Sequence, residues 1–203
     1  MIRIIDTYAD ITCLFDEGNF NIDTWKSYIK KIGSAELFLS DMRECLGDGK
    51  YTYEKDVLPI LNDVYENHKL EVLHASFNKV VNQLNQKVID IFGKELDVDI
   101  VLYMGLCNGA GWVTNINGVA TILLGVEKII ELDWCDVNAM YGLIYHELGH
   151  VYQKQYGTLE RNFLDNKSSF LWQLFTEGIA MYFEQVLVGD LNYFHQDADG
   201  WKA

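Results

Sequence analysis

The chain has 203 residues, of which 49% are hydrophobic and 13% aromatic, enough to bury a full core and too many for wholesale disorder. A formal net charge of −14 sets the average surface against phosphate backbones and anionic lipid headgroups, which argues against nucleic acid and membrane surfaces as partners.

The first residues, Met-Ile-Arg-Ile-Ile-Asp, turn polar too early for the apolar region of a signal peptide, and no run of about 18 apolar residues offers a membrane span. Cys13, Cys45, Cys107 and Cys135 lack the short paired spacing of a thiolate zinc site or a redox motif. They read as reduced core thiols, and the expected location is cytoplasmic. Asp6 to Gly18 has no clear period. From Asn21 to Phe92 the period is helical: Ile22, Trp25, Ile29 and Ile32 recur at that spacing, as do Val72, Phe77, Val80, Val81, Leu84, Val88 and Ile91, with Gly33 and Gly93 as stops. Residues 1–93 are therefore expected to form a mainly helical part of a single unit spanning 1–203.

Beyond Gly93 the period shifts towards two. Val98 to Leu102, Trp112 to Ile116 and Val119 to Leu124 read as strands, and Asn117-Gly118 is the pair that a two-residue type I′ hairpin turn requires. Two helices close the pattern, from near Asp136 to Gly157 and from near Ser168 to Gly189, each with a capping residue before it and a glycine after it. The expected class is α+β, mostly helical with a small mixed sheet.

The first of these helices contains His146-Glu147-Leu148-Gly149-His150. Residues four apart share a helix face, so His146 and His150 can bring ring nitrogens to one zinc ion, while Glu147 sits roughly 100° further round, within reach of a coordinated water. The plain alternative makes both histidines ordinary helix residues satisfied by carbonyls. An apolar stripe of Met140, Ile144, Leu148, Val151 and Tyr152 packs the helix on a core, and Gly142 and Gly149, seven apart, mark a face that another element approaches closely.

A catalytic zinc needs a third protein ligand and an open position. Tyr156 stands where a third histidine would follow in metzincins, and Gln153 replaces their glycine. Glu177, in the apolar run Leu-Trp-Gln-Leu-Phe-Thr-Glu-Gly-Ile-Ala-Met-Tyr-Phe, is the best remaining ligand, because a carboxylate buried there calls for a cation. Gly178 and Ala180 are small enough to let its helix approach Gly142 and Gly149. The alternative for Glu177 is a bond to a buried arginine or tyrosine. Glu184, two turns on, is a rival ligand or an acceptor for a histidine N–H.

At H-E-L-G-H followed by the E-G-I-A helix, the chain resembles gluzincins, and among them predicted bacterial zinc-dependent proteases; the likeness covers Val119 to Val188. The resemblance implies a zincin-like metalloprotease fold in which an edge strand, here Val119 to Leu124, lies over the active-site helix and holds an extended peptide. It implies His146, His150 and Glu177 as ligands of Zn2+, Glu147 as general base, and a peptide or protein substrate. Met181 departs from the family, where an acidic residue follows the glutamate ligand by four. A G-x-M-E-N segment is also missing, which favours an endopeptidase. Tyr193 and His195 are candidate donors to the oxyanion, each readable equally as a surface residue. The competing expectation is a catalytically inactive zincin-like protein acting as a binding or regulatory module, with a structural metal or none. A third reading, an all-helical protein with an accidental motif, requires that no strands precede Asp136.

Overall fold

The computed structural model of the chain describes residues 1–47, 49–157 and 166–194. Its centre is a four-stranded mixed sheet built from β1 (Ile2–Asp6), β4 (Val98–Tyr103), β5 (Gly111–Ile116) and β6 (Val119–Gly125), in the order β1-β4-β6-β5. β1, β4 and β6 run parallel and β5 runs antiparallel to β6. Parallel strands covered on both faces read as continuous apolar runs, and β4 (Val-Asp-Ile-Val-Leu-Tyr) and β6 (Val-Ala-Thr-Ile-Leu-Leu-Gly) do so. Asn117 and Gly118 join β5 to β6 with φ of 53° and 86°, the left-handed pair that the Asn-Gly motif predicts.

This order corrects one expectation. Val119 to Leu124 is an inner strand, paired on both sides, and β5 is the edge. β1 adds a strand to the mainly helical N-terminal part: Ile2–Asp6 pairs with Val98–Leu102 and sets Arg3 opposite Asp99, a cross-strand charge pair. A further two-stranded hairpin, β2 (Phe15–Asp16) and β3 (Asn19–Phe20), occupies part of the segment that shows no period.

The helices of the first half are α1 (Tyr8–Ile11), α2 (Ile22–Tyr28), α3 (Ala35–Leu46), α4 (Leu58–Glu66), α5 (Lys69–Val81) and α6 (Leu84–Phe92). Asn21 caps α2 by accepting from the amides of Asp23 and Thr24, and Gly93 ends α6 in the left-handed region at φ 64°. A left-handed Gln83 breaks the periodic run into α5 and α6, and Val72 and Ile91 end up exposed rather than in the core. Trp25, Leu73 and Phe77 share one apolar core with Ile100, Leu123 and Ile144, so these helices are continuous with the sheet.

After β6 come α7 (Val126–Glu131), α8 (Val137–Tyr156) and α9 (Asn166–Val188). Asp136 caps α8 by accepting from the amides of Asn138 and Ala139. Met140, Ile144, Leu148 and Val151 are buried as their stripe predicts, and α8 is covered by α5, α9, β5 and β6. The thiols are free but not all in the core: Cys135 is buried, Cys107 half-buried and Cys13 exposed, while the side chain of Cys45 lies outside the described residues. Among the described residues, no helix is long and apolar enough to cross a membrane.

Candidate metal centre

α8 and α9 pack antiparallel. Gly149 meets Ala180, Gln153 donates to the carbonyl of Thr176 at 2.8 Å, and His146 faces Glu184. A Cβ on Gly149 would lie 2.8 Å from Ala180 Cα, so the absence of a side chain there fixes how closely the helices approach. The small-residue reading holds for that pair. Gly178 takes no part in it, since a Cβ there would meet nothing within 4 Å.

The close packing brings His146, His150 and Glu177 together, with one potential ligand atom from each lying within 4.8 Å of the others. Glu177 Oε2 is 3.1 Å from His146 Nε2 and 3.5 Å from His150 Nε2. Bonds of about 2.0–2.1 Å to a tetrahedral zinc set neighbouring ligand atoms about 3.3–3.4 Å apart, and the two separations bracket that edge. Two imidazole nitrogens and a carboxylate oxygen are also the donor types that zinc takes in catalytic sites. The three residues could hold a metal ion.

Glu177 is not buried as its apolar surroundings suggest. Its side chain lines a cleft and is 44% exposed against 5% for Glu184, and Phe170, Leu171, Leu174 and Tyr182 of the same helix are exposed as well. The buried carboxylate is Glu184. Its Oε2 lies 3.4 Å from His146 Nδ1, a charge contact not aligned as a hydrogen bond. Glu184 thus lies behind His146, on the side away from Glu177 and three residues beyond Met181. Burial pulls the His146 imidazole down, but Glu184, Glu147 and Glu177 outweigh it and hold the ring above its ordinary value.

Glu147 is buried beside this group, and burial, reinforced by Glu177 and opposed by His146, pushes its carboxyl up to about 7. Its neighbour across the cleft is Gly111 at the start of β5. A Cβ on Gly111 would lie 2.8 Å from Leu143 Cδ1 and 3.4 Å from Glu147 Cγ, so a bare backbone lets the edge strand settle against α8 at the glutamate. An isolated glycine opening a strand was the available signal for this close approach. The loop that delivers β5 is clamped from behind: the amides of Gly105 and Cys107 donate to the buried Glu127 carboxylate at 2.8 and 3.0 Å.

The cleft in front of the three-residue group has a volume of about 900 Å³. Gly111, Trp112 and Val113 of β5 line one side and Trp172, Phe175 and Ile179 of α9 the other, with the histidines and Glu147 between. Trp112, Trp172 and Phe175 carry no motif and were not legible as site residues. Tyr193, expected as an oxyanion donor, instead donates its hydroxyl to the carbonyl of Asn138, about two turns of α8 before His146, and does not line the cleft. His195 lies outside the described residues. No known protein family, curated protein or solved structure matches the chain.

Proposed function

We propose that the chain is a zinc-dependent peptidase of the gluzincin type, with a zincin-like fold, that hydrolyses peptide bonds. The observation that carries this reading is the convergence of His146, His150 and Glu177, with Glu177 Oε2 3.1 Å and 3.5 Å from the two histidine Nε2 atoms, next to a buried glutamate and an open cleft. His146, His150 and Glu177 would hold the ion, and Glu184 orients His146 from behind. When bound, zinc supplies Lewis acidity, which lowers the pKa of a coordinated water towards about 7 and polarises the scissile carbonyl.

Glu147 takes a proton from the attacking water and passes it to the departing amine. The water oxygen ends on the carbonyl carbon, the C–N bond breaks, and no covalent enzyme intermediate forms. The open edge of β5 presents backbone groups to an extended substrate, a strand-addition mode in which main-chain hydrogen bonds supply affinity.

Zinc quantification on the wild type beside His146→Ala and Glu177→Ala tests the ligand set. Near-stoichiometric metal in the wild type and at least a tenfold loss of affinity in each variant are expected. Glu147→Gln should keep its zinc and lose at least a hundredfold in kcat. Equal zinc in wild type and Glu177→Ala, or an active Glu147→Gln chain, would overturn the reading.

A further inference from the structure

α8 carries a second group of side chains on another of its sides. Tyr141 and Tyr145 stand four residues apart and about 140° round the helix from His146 and His150, away from the cleft. They back a recess of about 480 Å³ whose other walls come from the end of α5, the Asn82-Gln83 corner and α6. The corner is tight. Asn82 and Gln83 alone separate the two helices, and Gln83 takes a left-handed backbone, φ 60°, that is uncommon for a residue with a side chain.

Two lysines line this recess, Lys79 from α5 and Lys87 from α6. Lys87 Nζ lies 5.7 and 5.2 Å from the ring centroids of Tyr141 and Tyr145 and donates to the Tyr145 hydroxyl at 3.3 Å. An ammonium has three donors, and among the described residues that hydroxyl is the only hydrogen-bond acceptor Lys87 meets. Neither lysine forms an ion pair among the described residues, whereas Lys26, Lys31, Lys69 and Lys128 each do. Burial lowers the Lys87 ammonium below its ordinary value, with no carboxylate to offset it. The carboxylate at the rim, Asp90, is taken up by Gln86, whose Nε2 donates to it at 2.7 Å.

Packing over tyrosine rings accounts for the place of Lys87, but not for a second unpaired lysine beside an open volume in a chain of net charge −14. Two ammonium groups match a dianion, and phosphate offers one with three strong acceptor oxygens to lysines that act as point charges. The recess is also much larger than a phosphate ion, which leaves the half-buried Tyr141 ring and Ile91 beside the rest of an ester. We propose that this recess binds a phosphate group, free or carried by a small organic ester, between Lys79 and Lys87. It uses none of the residues of the metal centre and stands apart from the zinc reading.

Isothermal calorimetry of the full chain with inorganic phosphate and with phenyl phosphate tests it. Saturable binding is expected in the wild type and is retained in His146→Ala. Lys79→Gln and Lys87→Gln should each weaken it about tenfold, as loss of a charged hydrogen bond implies. Lys79 is exposed, so its replacement leaves the fold intact, and circular dichroism checks both variants. Bound phosphate should also raise the Tm of the wild type and not that of the lysine variants. Tighter binding of phenyl phosphate marks an ester as the ligand and equal binding marks free phosphate; either supports the site. The proposal is overturned if neither phosphate saturates the chain up to about 10 mM. It is overturned equally if affinity is unchanged in both lysine variants, if benzyl alcohol binds as tightly as phenyl phosphate, or if His146→Ala alone abolishes binding, which would place the anion in the cleft.

Discussion

Glu127 carries no catalytic role in this reading, yet it is the most deeply buried carboxylate of the chain's described residues to hold a loop in place. Burial pushes its carboxyl up to about 7 in spite of the amides of Gly105 and Cys107. A carboxyl raised on folding binds its proton more tightly in the native state than in the unfolded chain, where it titrates near 4.5. Its contribution is therefore most favourable below about pH 4.5 and is lost as pH rises through about 7. Relative to Glu127→Gln, the wild type should lose on the order of 3 kcal/mol of stability between pH 4.5 and 8, measured by urea denaturation across that range. Parallel pH profiles for the two proteins would show that the carboxyl titrates alike in the folded and unfolded chains. At this scale the site was partly legible. His146, Glu147 and His150 stand four or fewer residues apart on one helix, so their geometry is local and the sequence suffices. Glu177 was identifiable as a ligand type, but its exposure was not, because that depends on which side of α9 the fold covers. Glu184 gains its place behind His146 from the same packing.

The α8–α9 contact decides whether three side chains meet, and two glycines separate its causes. Gly149→Ala drives a methyl group to 2.8 Å from Ala180 Cα, a backbone atom that cannot swing aside. The expected cost is about 1–3 kcal/mol, together with weaker zinc binding as Glu177 is pushed from the histidines. Gly178→Ala meets open space inside a helix and should stabilise by about 0.5–1 kcal/mol through the unfolded chain. Thermal and urea unfolding of both variants, with zinc titration of the first, checks the pair; stabilisation by Gly149→Ala would show that the helices are not held at this distance. Elements defined by local period or turn chemistry were readable, among them α8, α9, β4 and the Asn117-Gly118 hairpin. Strand order was not. Whether Val119–Gly125 is an edge or an inner strand depends on where Val98–Tyr103 docks, and β1 is a strand because of a partner far along the chain. Five residues without strict alternation, Ile-Arg-Ile-Ile-Asp, carry little signal without that pairing.

Across the whole molecule, the N-terminal helices and the sheet share a core with α8, so the helix bearing His146 and His150 is held by segments from both halves of the chain. The site's rigidity is thus a property of the entire fold, while its openness belongs to one feature, the position of β5 at the sheet margin. Among the described residues β5 pairs with β6 alone, which leaves alternate amides of Gly111–Ile116 turned away from that partner. A guest chain lying along it would become a fifth strand and shield those protons. Deuterium uptake at these amides should be rapid in the free protein and slow several-fold when an uncleaved peptide is added to zinc-loaded Glu147→Gln, with the inward-facing amides of β6 unchanged. Isotope exchange would then report occupancy of the cleft without a single turnover, and unaltered uptake along β5 would mean that guests lie elsewhere.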